Sequence, residues 1–200
     1  PDGAGSKAAI LREIYREVNG SGLNDDELET LMNEIGLVKN RMAGEEDYAA
    51  LGLETRRFAD IYRAYEDYKR KDALIDFDDM LVYAHSILRR RPGMLGQYRE
   101  RYRYYQIDEA QDLSKLQFEI LWLLVPQERA NLFLVADDDQ SIYGFRGAEP
   151  RSILDMEKRF AGLKLYKLEN NYRSSRNIVE ISSRFIKANK QRYDKDHTTL

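Results

Sequence analysis

The sequence predicts an α/β fold in which a parallel β-sheet is flanked by helices and preceded by a helical subdomain. Residues 1 to 100 carry almost only helical patterns, with helices expected over 7–18, 25–39, 53–70 and 77–90. From residue 104 onward the pattern changes to strand, helix, strand, loop, strand and helix. Such alternation is typical of a parallel sheet covered by helices, with ligands outside the carboxyl ends of the strands.

Local signals justify the helices of the first half. Asn24 supplies a capping residue for the second helix, and three acids follow it at once. Side chains of the third helix follow the i, i+3, i+4, i+7 spacing of a packing face: Phe58, Ile61, Tyr62, Tyr65 and, extending it, Tyr68. We expect this face to lie in a core.

Three apolar runs in the second half predict strands, and each leads into a polar loop. The first ends at Ile107, the second covers 132–136 and the third covers 163–168. The clearer helices of this half are expected over 114–124 and 176–187. All three polar loops therefore follow strands, where an α/β protein usually binds its ligand.

A pair of carboxylates directly follows the first strand. Mg²⁺ prefers an oxygen ligand on a rigid element, and a water that attacks a γ-phosphate needs a neighbouring carboxylate to orient it or take its proton. Asp108 suits the first role and Glu109 the second. An acidic pair here could equally favour the positive end of the next helix, so this segment alone leaves both interpretations open.

Three segments together carry a specific resemblance. The segments DEAQD at 108–112, ADDDQSIYGFRGA at 136–148 and LENNYRSS at 168–175 resemble, in order and spacing, motifs II, III and IV of the UvrD/Rep-like superfamily 1 DNA helicases. IDFDDML at 75–81 resembles the element before motif II. The resemblance implies a partial RecA-like P-loop NTPase sheet. The helical region before it takes the place of the family's inserted helical subdomain.

The same resemblance implies a role for each nucleotide-site residue. Asp108 would hold Mg²⁺, and Glu109 would be the catalytic base for the attacking water. Gln140 would sense the γ-phosphate of ATP and relay its presence to the DNA site. Arg173 would act as an arginine finger from the far side of the nucleotide cleft, with Tyr172 packing on the adenine.

A DNA-binding role is implied for the second half of the 136–148 segment. Phe145 would stack on a base of the tracking strand, and Tyr143 and Arg146 would support that contact. Ala136 stands where the family usually has glycine, and we expect only a small change in turn geometry. Without the motif order, Tyr143 and Phe145 would be read as core aromatics and Arg173 as a cap of a buried carbonyl.

A second candidate for nucleic-acid binding is a run of arginines with interleaved tyrosines. Its members are Arg89, Arg90, Arg91, Arg99, Arg101 and Arg103 with Tyr98, Tyr102, Tyr104 and Tyr105. Arginine pairs with phosphate and aromatic rings stack on bases. The first three arginines precede Pro92 and Gly93, however, so they close a helix whose negative end favours cations. For these three arginines the sequence therefore favours a role in ending the helix over a role in nucleic-acid binding.

Composition narrows the class of protein. At 200 residues and 42% hydrophobic, the chain can bury one core, or one core and a small helical satellite. No apolar run reaches the 18 residues of a membrane span, and we expect a cytoplasmic protein without a membrane partner. The chain has no cysteine and only two histidines, which argues against disulfides and a zinc site. The net charge of −3 argues against a uniformly basic nucleic-acid binder.

One expected element is absent from the sequence. No G-x-x-x-x-G-K-[ST] run, whose backbone cradles nucleotide phosphates, occurs in it. We therefore expect a slice of a larger helicase: 1–75 a helical subdomain resembling the 1B insertion, 76–170 the second part of motor domain 1A, and 171–200 the start of motor domain 2A.

The predicted function is part of an ATP-dependent 3′–5′ DNA helicase that uses ATP and Mg²⁺. Its expected partners are single-stranded DNA and single-/double-strand junctions, and negligible hydrolysis is expected from these residues alone. One alternative is a non-enzymatic DNA-binding or interaction module derived from the helicase fold, which would have no use for the base Glu109. A metal-dependent nuclease is the third interpretation, and it would need converging acids.

Overall fold

The computed structural model of the chain describes residues 6–126, 130–141, 144, 147–149, 151–160, 162–188 and 198–199. Over these residues the fold is mixed α/β and mostly helical. Its helices are α1 (Lys7–Asn19), α2 (Asp25–Arg41), α3 (Tyr48–Leu51), α4 (Phe58–Lys71), α5 (Phe77–Arg90), α6 (Pro92–Arg101), α7 (Lys115–Leu124), α8 (Arg151–Leu154), α9 (Met156–Arg159) and α10 (Arg176–Ile186). Its strands are β1 (Tyr105–Ile107), β2 (Leu132–Leu134), β3 (Asn170–Asn171) and β4 (Thr198–Thr199).

Side-chain caps set the starts of the main helices. The Asn24 carboxamide accepts the backbone N–H of Glu27 at 2.8 Å, and the Glu27 carboxylate accepts the N–H of Asn24 at 2.9 Å. The same reciprocal arrangement begins α5 and α7. Each box satisfies backbone donors that have no partner inside the helix. The capping role predicted for Asn24 is confirmed, and α1, α2, α5, α7 and α10 begin within one residue of their predicted starts.

Two helix predictions need correction. The third predicted helix was expected from residue 53, but α4 begins at Phe58 because Arg57 adopts a left-handed backbone with φ 56°. Helix α6 was not predicted. Helix α5 does end before Pro92, as expected, yet proline has the fixed φ of a first helical residue, and the chain enters α6 there.

The strands form two separate parallel pairs instead of one three-stranded sheet. Strand β1 pairs with β2 in the register Tyr105↔Leu132 to Ile107↔Leu134, and β3 pairs with β4. The third predicted strand is wrong, because residues 163–169 have no regular structure and Leu168 is 89% exposed. A strand needs a paired neighbour for its backbone groups, and this run belongs to neither described sheet.

Two apolar cores stabilise the fold. The first lies among α1, α2 and α4, with these fully or nearly buried members: Ile10, Leu11, Ile14, Tyr15, Leu28, Leu31, Ile35, Val38, Phe58, Ile61 and Tyr65. The second surrounds α7 and the β1–β2 sheet, with Ala110, Phe118, Leu121, Val125 and Ile153 buried. The packing face predicted for α4 is confirmed, because its side chains belong to the first core or pack against it.

Helix α5 connects the two cores. It packs against both α2 and α7, and α2 also contacts α7 directly. The predicted boundary between residues 75 and 76 falls just before this helix, in the irregular 74–76 segment. Within the described residues, no helix is both long enough and apolar enough to cross a membrane.

A buried charge cluster fixes the start of α5. Lys39 Nζ of α2 lies 2.7 Å from Asp79 Oδ1 and 3.1 Å from Asp76 Oδ2. Lys69 Nζ of α4 lies 2.6 Å from Asp79 Oδ2, and the Tyr65 hydroxyl donates to Asp76 at 3.1 Å. The Lys39 side chain is only 4% exposed. Three helices therefore meet through paired charges that are hidden from water.

The cluster raises the pKa of Lys39 and lowers the pKa of Asp76, so that each side chain favours its charged form. Burial by itself would lower the pKa of Lys39, but the Asp79 hydrogen bond and the charges of Asp76 and Glu66 raise it above its ordinary value. Burial would likewise raise the pKa of Asp76, but a backbone hydrogen bond and the charges of Lys39 and Lys7 hold it below its usual range. Lys39 and Asp76 therefore stay charged at neutral pH.

We predict that Lys39→Met lowers the free energy of unfolding by about 3–5 kcal/mol, because it removes a buried cation that pairs with both Asp76 and Asp79. The matched control is Lys158→Met, which removes an exposed lysine paired with Asp155 and is expected to cost less than about 1 kcal/mol. Urea unfolding followed by circular dichroism measures both. Equal losses in the two variants would contradict a special role for the buried cluster.

Candidate active site

The polar loops after β1 and β2 meet at one edge of the sheet. The two strands are parallel, so their carboxyl ends lie side by side. Asp108 and Glu109 follow β1, and a short turn at Asp138–Gln140 follows β2. Asp108 and Glu109 are both exposed. The predicted metal ligand, the predicted base and the predicted γ-phosphate sensor therefore belong to two adjacent loops.

Glu109 adopts an unusual backbone conformation. Its φ is 49°, in the left-handed region that costs a residue other than glycine about 1–3 kcal/mol. Backbone hydrogen bonds hold it there: Ala110 N–H donates to Val135 O at 3.0 Å, and Asp112 N–H donates to Glu109 O at 3.0 Å. Asp108 Oδ1 accepts the N–H of Glu109 at 3.0 Å. In this turn the Glu109 carboxylate accepts a hydrogen bond from the Gln111 side chain.

One buried amide connects the two loops. Gln111 is 2% exposed; its Nε2 donates to Glu109 Oε2 at 2.7 Å, and its Oε1 accepts the backbone N–H of Asp137 at 3.0 Å. Ser141 Oγ also donates to the Gln111 carbonyl at 3.2 Å. The sequence alone assigns Gln111 no role. The only signal was its place inside the DEAQD segment, since its burial depends on the tertiary fold.

Gln140 joins the same network. Its Nε2 donates to Asp137 Oδ2 at 2.7 Å, and its backbone N–H donates to Asp137 O at 2.9 Å. A continuous path therefore runs from Glu109 through Gln111 and Asp137 to Gln140. Glu109 and Gln140 are thus linked through two residues, and Asp108 directly precedes Glu109 in the first loop. The roles of these three residues stay predictions.

The remaining predicted nucleotide residues lie on a different turn. Asn171 Oδ1 accepts the backbone N–H groups of both Arg173 and Ser174 at 2.9 Å, and this turn leads into α10. Tyr172 is 78% exposed. The turn adjoins the β3–β4 pair, whereas Glu109 and Gln140 adjoin β1–β2. Roles for Tyr172 and Arg173 stay predictions.

The predicted DNA-binding residues Tyr143, Phe145 and Arg146 lie outside the described residues. The end of their loop is described, and it rests on α2. Gly147 has φ 91°, and a Cβ there would lie 2.8 Å from Asn40 Cβ.

Two further contacts hold the segment after Gly147. Glu149 pairs with Arg41 at the end of α2, and Glu149 N–H donates to Leu113 O at 2.9 Å. The loop that begins at the hydrogen-bonded network thus ends on the helical region.

An exposed aromatic side chain lies near this loop end. Phe77, the first residue of α5, is 89% exposed. Its neighbour Asp78 accepts a hydrogen bond from Asn40 Nδ2 at 3.5 Å, and Asn40 is the residue that Gly147 approaches. An aromatic ring on a rigid helix start can stack on a base. Sequence reasoning overlooked it, because an apolar residue at the start of an amphipathic helix is usually core.

Several side chains of the arginine and tyrosine run make contacts within the fold. Arg99 Nε donates to Leu123 O at 3.0 Å, so its guanidinium caps the carboxyl end of α7. Tyr98 and Tyr102 stack on each other with centroids 6.3 Å apart, and the Arg101 guanidinium lies 5.4 Å above the Tyr102 ring. Arg89 and Arg90 occupy the last turn of α5, as predicted.

The donor set at the strand ends fits a magnesium ion that arrives with a nucleotide. Mg²⁺ commonly takes one or two protein carboxylates and fills its other positions with water and phosphate oxygens. Asp108 offers such a carboxylate, exposed at the end of a strand. Among the residues that the structure describes, no group of three or more histidine, aspartate or glutamate side chains could hold a metal by itself.

Comparisons with known proteins agree on one family. The model of the UvrD/REP helicase N-terminal domain matches residues 6–161. The chain is 34% identical over 192 residues to the ATP-dependent DNA helicase PcrA of Leuconostoc citreum, covering 95% of this chain and 25% of that protein. It is 34% identical over 192 residues to the ATP-dependent DNA helicase Rep of Escherichia coli (strain K12), covering 94% and 28%.

A third relative matches over a shorter region. The chain is 43% identical over 135 residues to DNA helicase II of Rickettsia typhi (strain ATCC VR-144 / Wilmington), covering 66% of this chain and 20% of that protein. The chain thus spans about a quarter of the length of the curated relatives that it matches.

We predict that Gly147→Ala lowers the free energy of unfolding by about 1–3 kcal/mol, because the new Cβ meets Asn40 and the positive φ disfavours alanine. Gly144→Ala is the matched control in the same loop, since nothing lies within 4 Å of its added Cβ. Thermal unfolding of the two variants measures the difference. A Gly147→Ala variant as stable as the control would mean that the loop end does not rest on α2.

Proposed function

The chain belongs to the UvrD/REP helicase family, and on that premise we propose that it is part of an ATP-dependent 3′–5′ DNA helicase that couples ATP hydrolysis to movement along single-stranded DNA. The observation that carries the proposal is the hydrogen-bonded path from Glu109 to Gln140. Such a path suits an enzyme that must orient a base and sense a phosphate in the same cleft. The helicase relatives supply the substrate class.

The proposed architecture follows from the family. Strands β1 and β2 are the part of a RecA-like P-loop NTPase sheet that carries the second and third motifs. Residues 1–75 form the inserted helical subdomain, 76–170 the second part of the first motor domain, and 171–200 the start of the second motor domain. The separation between the β1–β2 and β3–β4 pairs is in keeping with a boundary near residue 170.

The proposed chemistry is hydrolysis of the γ-phosphate of ATP by water. Asp108 binds the Mg²⁺ that accompanies ATP, and this ion neutralises charge on the phosphate oxygens when bound. Glu109 orients the attacking water and takes its proton. Gln140 contacts the γ-phosphate.

The second motor domain supplies the other side of the cleft. Arg173 reaches in from there to stabilise charge in the transition state, and Tyr172 packs on the adenine. Closure of the two domains then brings the arginine into place.

The phosphate cradle of this site is assigned to sequence outside these 200 residues. The chain has no glycine-rich phosphate loop of its own, and that loop provides most of the ground-state binding of a triphosphate. We infer that these residues alone do not turn over ATP and that the whole protein does. Repair, replication restart and recombination all use such a motor.

The proposed DNA site lies along the 136–148 loop and the start of α5. Phe145 stacks on a base of the tracking strand, supported by Tyr143 and Arg146. Phe77 offers an exposed ring at the start of α5, next to the residues that hold the loop end. Stacking accepts every base, which suits a motor that moves over any sequence. Single-stranded DNA and its junctions with duplex DNA are the proposed partners.

We predict that the full-length protein containing this chain hydrolyses ATP with Mg²⁺, faster when single-stranded DNA is present. Glu109→Gln keeps the size of the side chain but removes the base, and it is expected to lower kcat by roughly 100-fold or more. The 200-residue chain measured alone is expected to show no turnover above that of its own Glu109→Gln variant. A coupled assay of phosphate release measures all four proteins.

Other outcomes of that assay separate the alternatives. DNA binding without any turnover by the full-length protein would favour the non-enzymatic module. DNA-stimulated turnover by the 200-residue chain, lost in Glu109→Gln, would mean that the chain assembles a complete site without the expected phosphate loop.

We predict that Phe77→Ala in the full-length protein weakens binding of single-stranded DNA by about 1–3 kcal/mol, the usual value of one stacked base. Phe77→Trp keeps an aromatic face and should bind like the wild type. Phe133→Ala, which also removes an exposed phenylalanine, is the matched control. Fluorescence anisotropy of a labelled oligonucleotide at one fixed salt concentration measures the affinities. Equal weakening in Phe77→Ala and Phe133→Ala would argue against a stacking role for Phe77.

A further inference from the structure

We propose that Gln111 is a positioning residue that holds the Glu109 carboxylate for attack on ATP and links its position to that of Gln140. The inference rests on the proposed function, because it assigns Gln111 a role within that site. Gln111 is buried and its side chain hydrogen-bonds to both loops. It touches Glu109 directly and reaches Gln140 through Asp137.

The chemistry of the two contacts fixes the orientation of the amide. A carboxylate oxygen accepts hydrogen bonds and a backbone N–H donates them. The Gln111 Nε2 must therefore face Glu109 and its Oε1 must face Asp137, as the distances of 2.7 Å and 3.0 Å show. A flipped amide would place oxygen against oxygen on one side and N–H against N–H on the other. No other standard side chain of this length carries a donor and an acceptor on one planar group.

Burial makes the loss of either hydrogen bond energetically costly. Gln111 is almost inaccessible to water, so an amide that left either partner would lose a hydrogen bond without replacement. Glu109 in turn is held in a left-handed backbone conformation, and its exposed carboxylate needs a fixed partner to keep one direction. The Gln111 N–H is that partner, and it leaves the second carboxylate oxygen, Oε1, for the water.

The same amide makes the position of the base depend on the second loop. Asp137 donates its backbone N–H to Gln111 and accepts the Gln140 side chain on its own carboxylate. Movement of Gln140 with the γ-phosphate would shift Asp137 and hence Gln111. The Ser141 hydroxyl, which donates to the Gln111 carbonyl, adds a second tie to the loop that leads to the proposed DNA contacts.

The test uses Gln111→Met in the full-length protein. Methionine has a similar volume but cannot make either hydrogen bond. We expect kcat to fall roughly 10- to 100-fold, the usual loss when a catalytic group is misplaced. We expect KM for ATP to change by less than about threefold, because the ground-state contacts of ATP lie elsewhere. Gln117→Met is the matched control: it removes a glutamine that only caps α7, and kcat should stay near the wild-type value.

A double variant separates positioning from mere support of the fold. If Gln111 and Gln140 act along one path, the loss in Gln111→Met/Gln140→Ala is smaller than the product of the two single losses. If Gln111 only stabilises the fold, the loss in the double variant equals the product of the two single losses. Thermal unfolding of each variant accompanies the kinetics. If Gln111→Met does not fold, Gln111→Glu replaces it, since it keeps the acceptor for Asp137 but sets a second carboxylate against Glu109.

Three results would overturn the inference while the proposed function stands. The first is a folded Gln111→Met whose kcat lies within about twofold of the wild-type value. The second is a double variant whose loss in kcat equals the product of the two single losses. The third is failure of both Gln111→Met and Gln111→Glu to fold. A wild-type protein without ATP turnover would instead overturn the proposed function, and the inference with it.

Discussion

The burial of two carboxylates between two lysines is the constraint on which the rest of the fold depends. Asp76 and Asp79 begin α5, and they find their cations on α2 and α4. Buried charges of this kind add little net stability, but a misplaced helix would leave them unpaired at high cost. They therefore select one position for α5. Because α5 packs on α7, and α7 covers the β1–β2 sheet, that choice also positions the loops of the candidate active site.

The helical region and the candidate active site are also joined at the end of the 136–149 segment. The Arg41–Glu149 ion pair and the close approach of Gly147 to Asn40 tie this end to α2. The start of the same segment is hydrogen-bonded to Gln111. The segment is thus held at both ends by different parts of the molecule, and the residues predicted to bind DNA lie between them in sequence. A loop held in this way can respond to a ligand without losing its place.

The sequence predicted the starts of α1, α2, α5, α7 and α10 and the place of Asp108 and Glu109 after a strand, because periodicity, caps and apolar runs are local signals. It failed where tertiary partners decide. The run 163–168 has the composition of a strand, yet no described strand pairs with it. Gln111 could not be singled out, since only the fold shows that it is buried between two loops. Phe77 was missed for the opposite reason: its apolar side chain implied burial, and the fold leaves it exposed.

The short path from Glu109 to Gln140 bears on how such a motor would be coupled. Energetic coupling between distant sites is usually hard to assign to particular residues. Here Glu109, the proposed base, and Gln140, the proposed phosphate sensor, are separated by only Gln111 and Asp137, and every link is a hydrogen bond of 3.0 Å or less. The strained backbone of Glu109 adds to this, because a residue held in a costly conformation returns to alternatives when its partners move. A displacement of the loop by DNA would then change the direction of the Glu109 carboxylate itself. Coupling between DNA binding and hydrolysis would need only these few hydrogen bonds and no longer path through the protein.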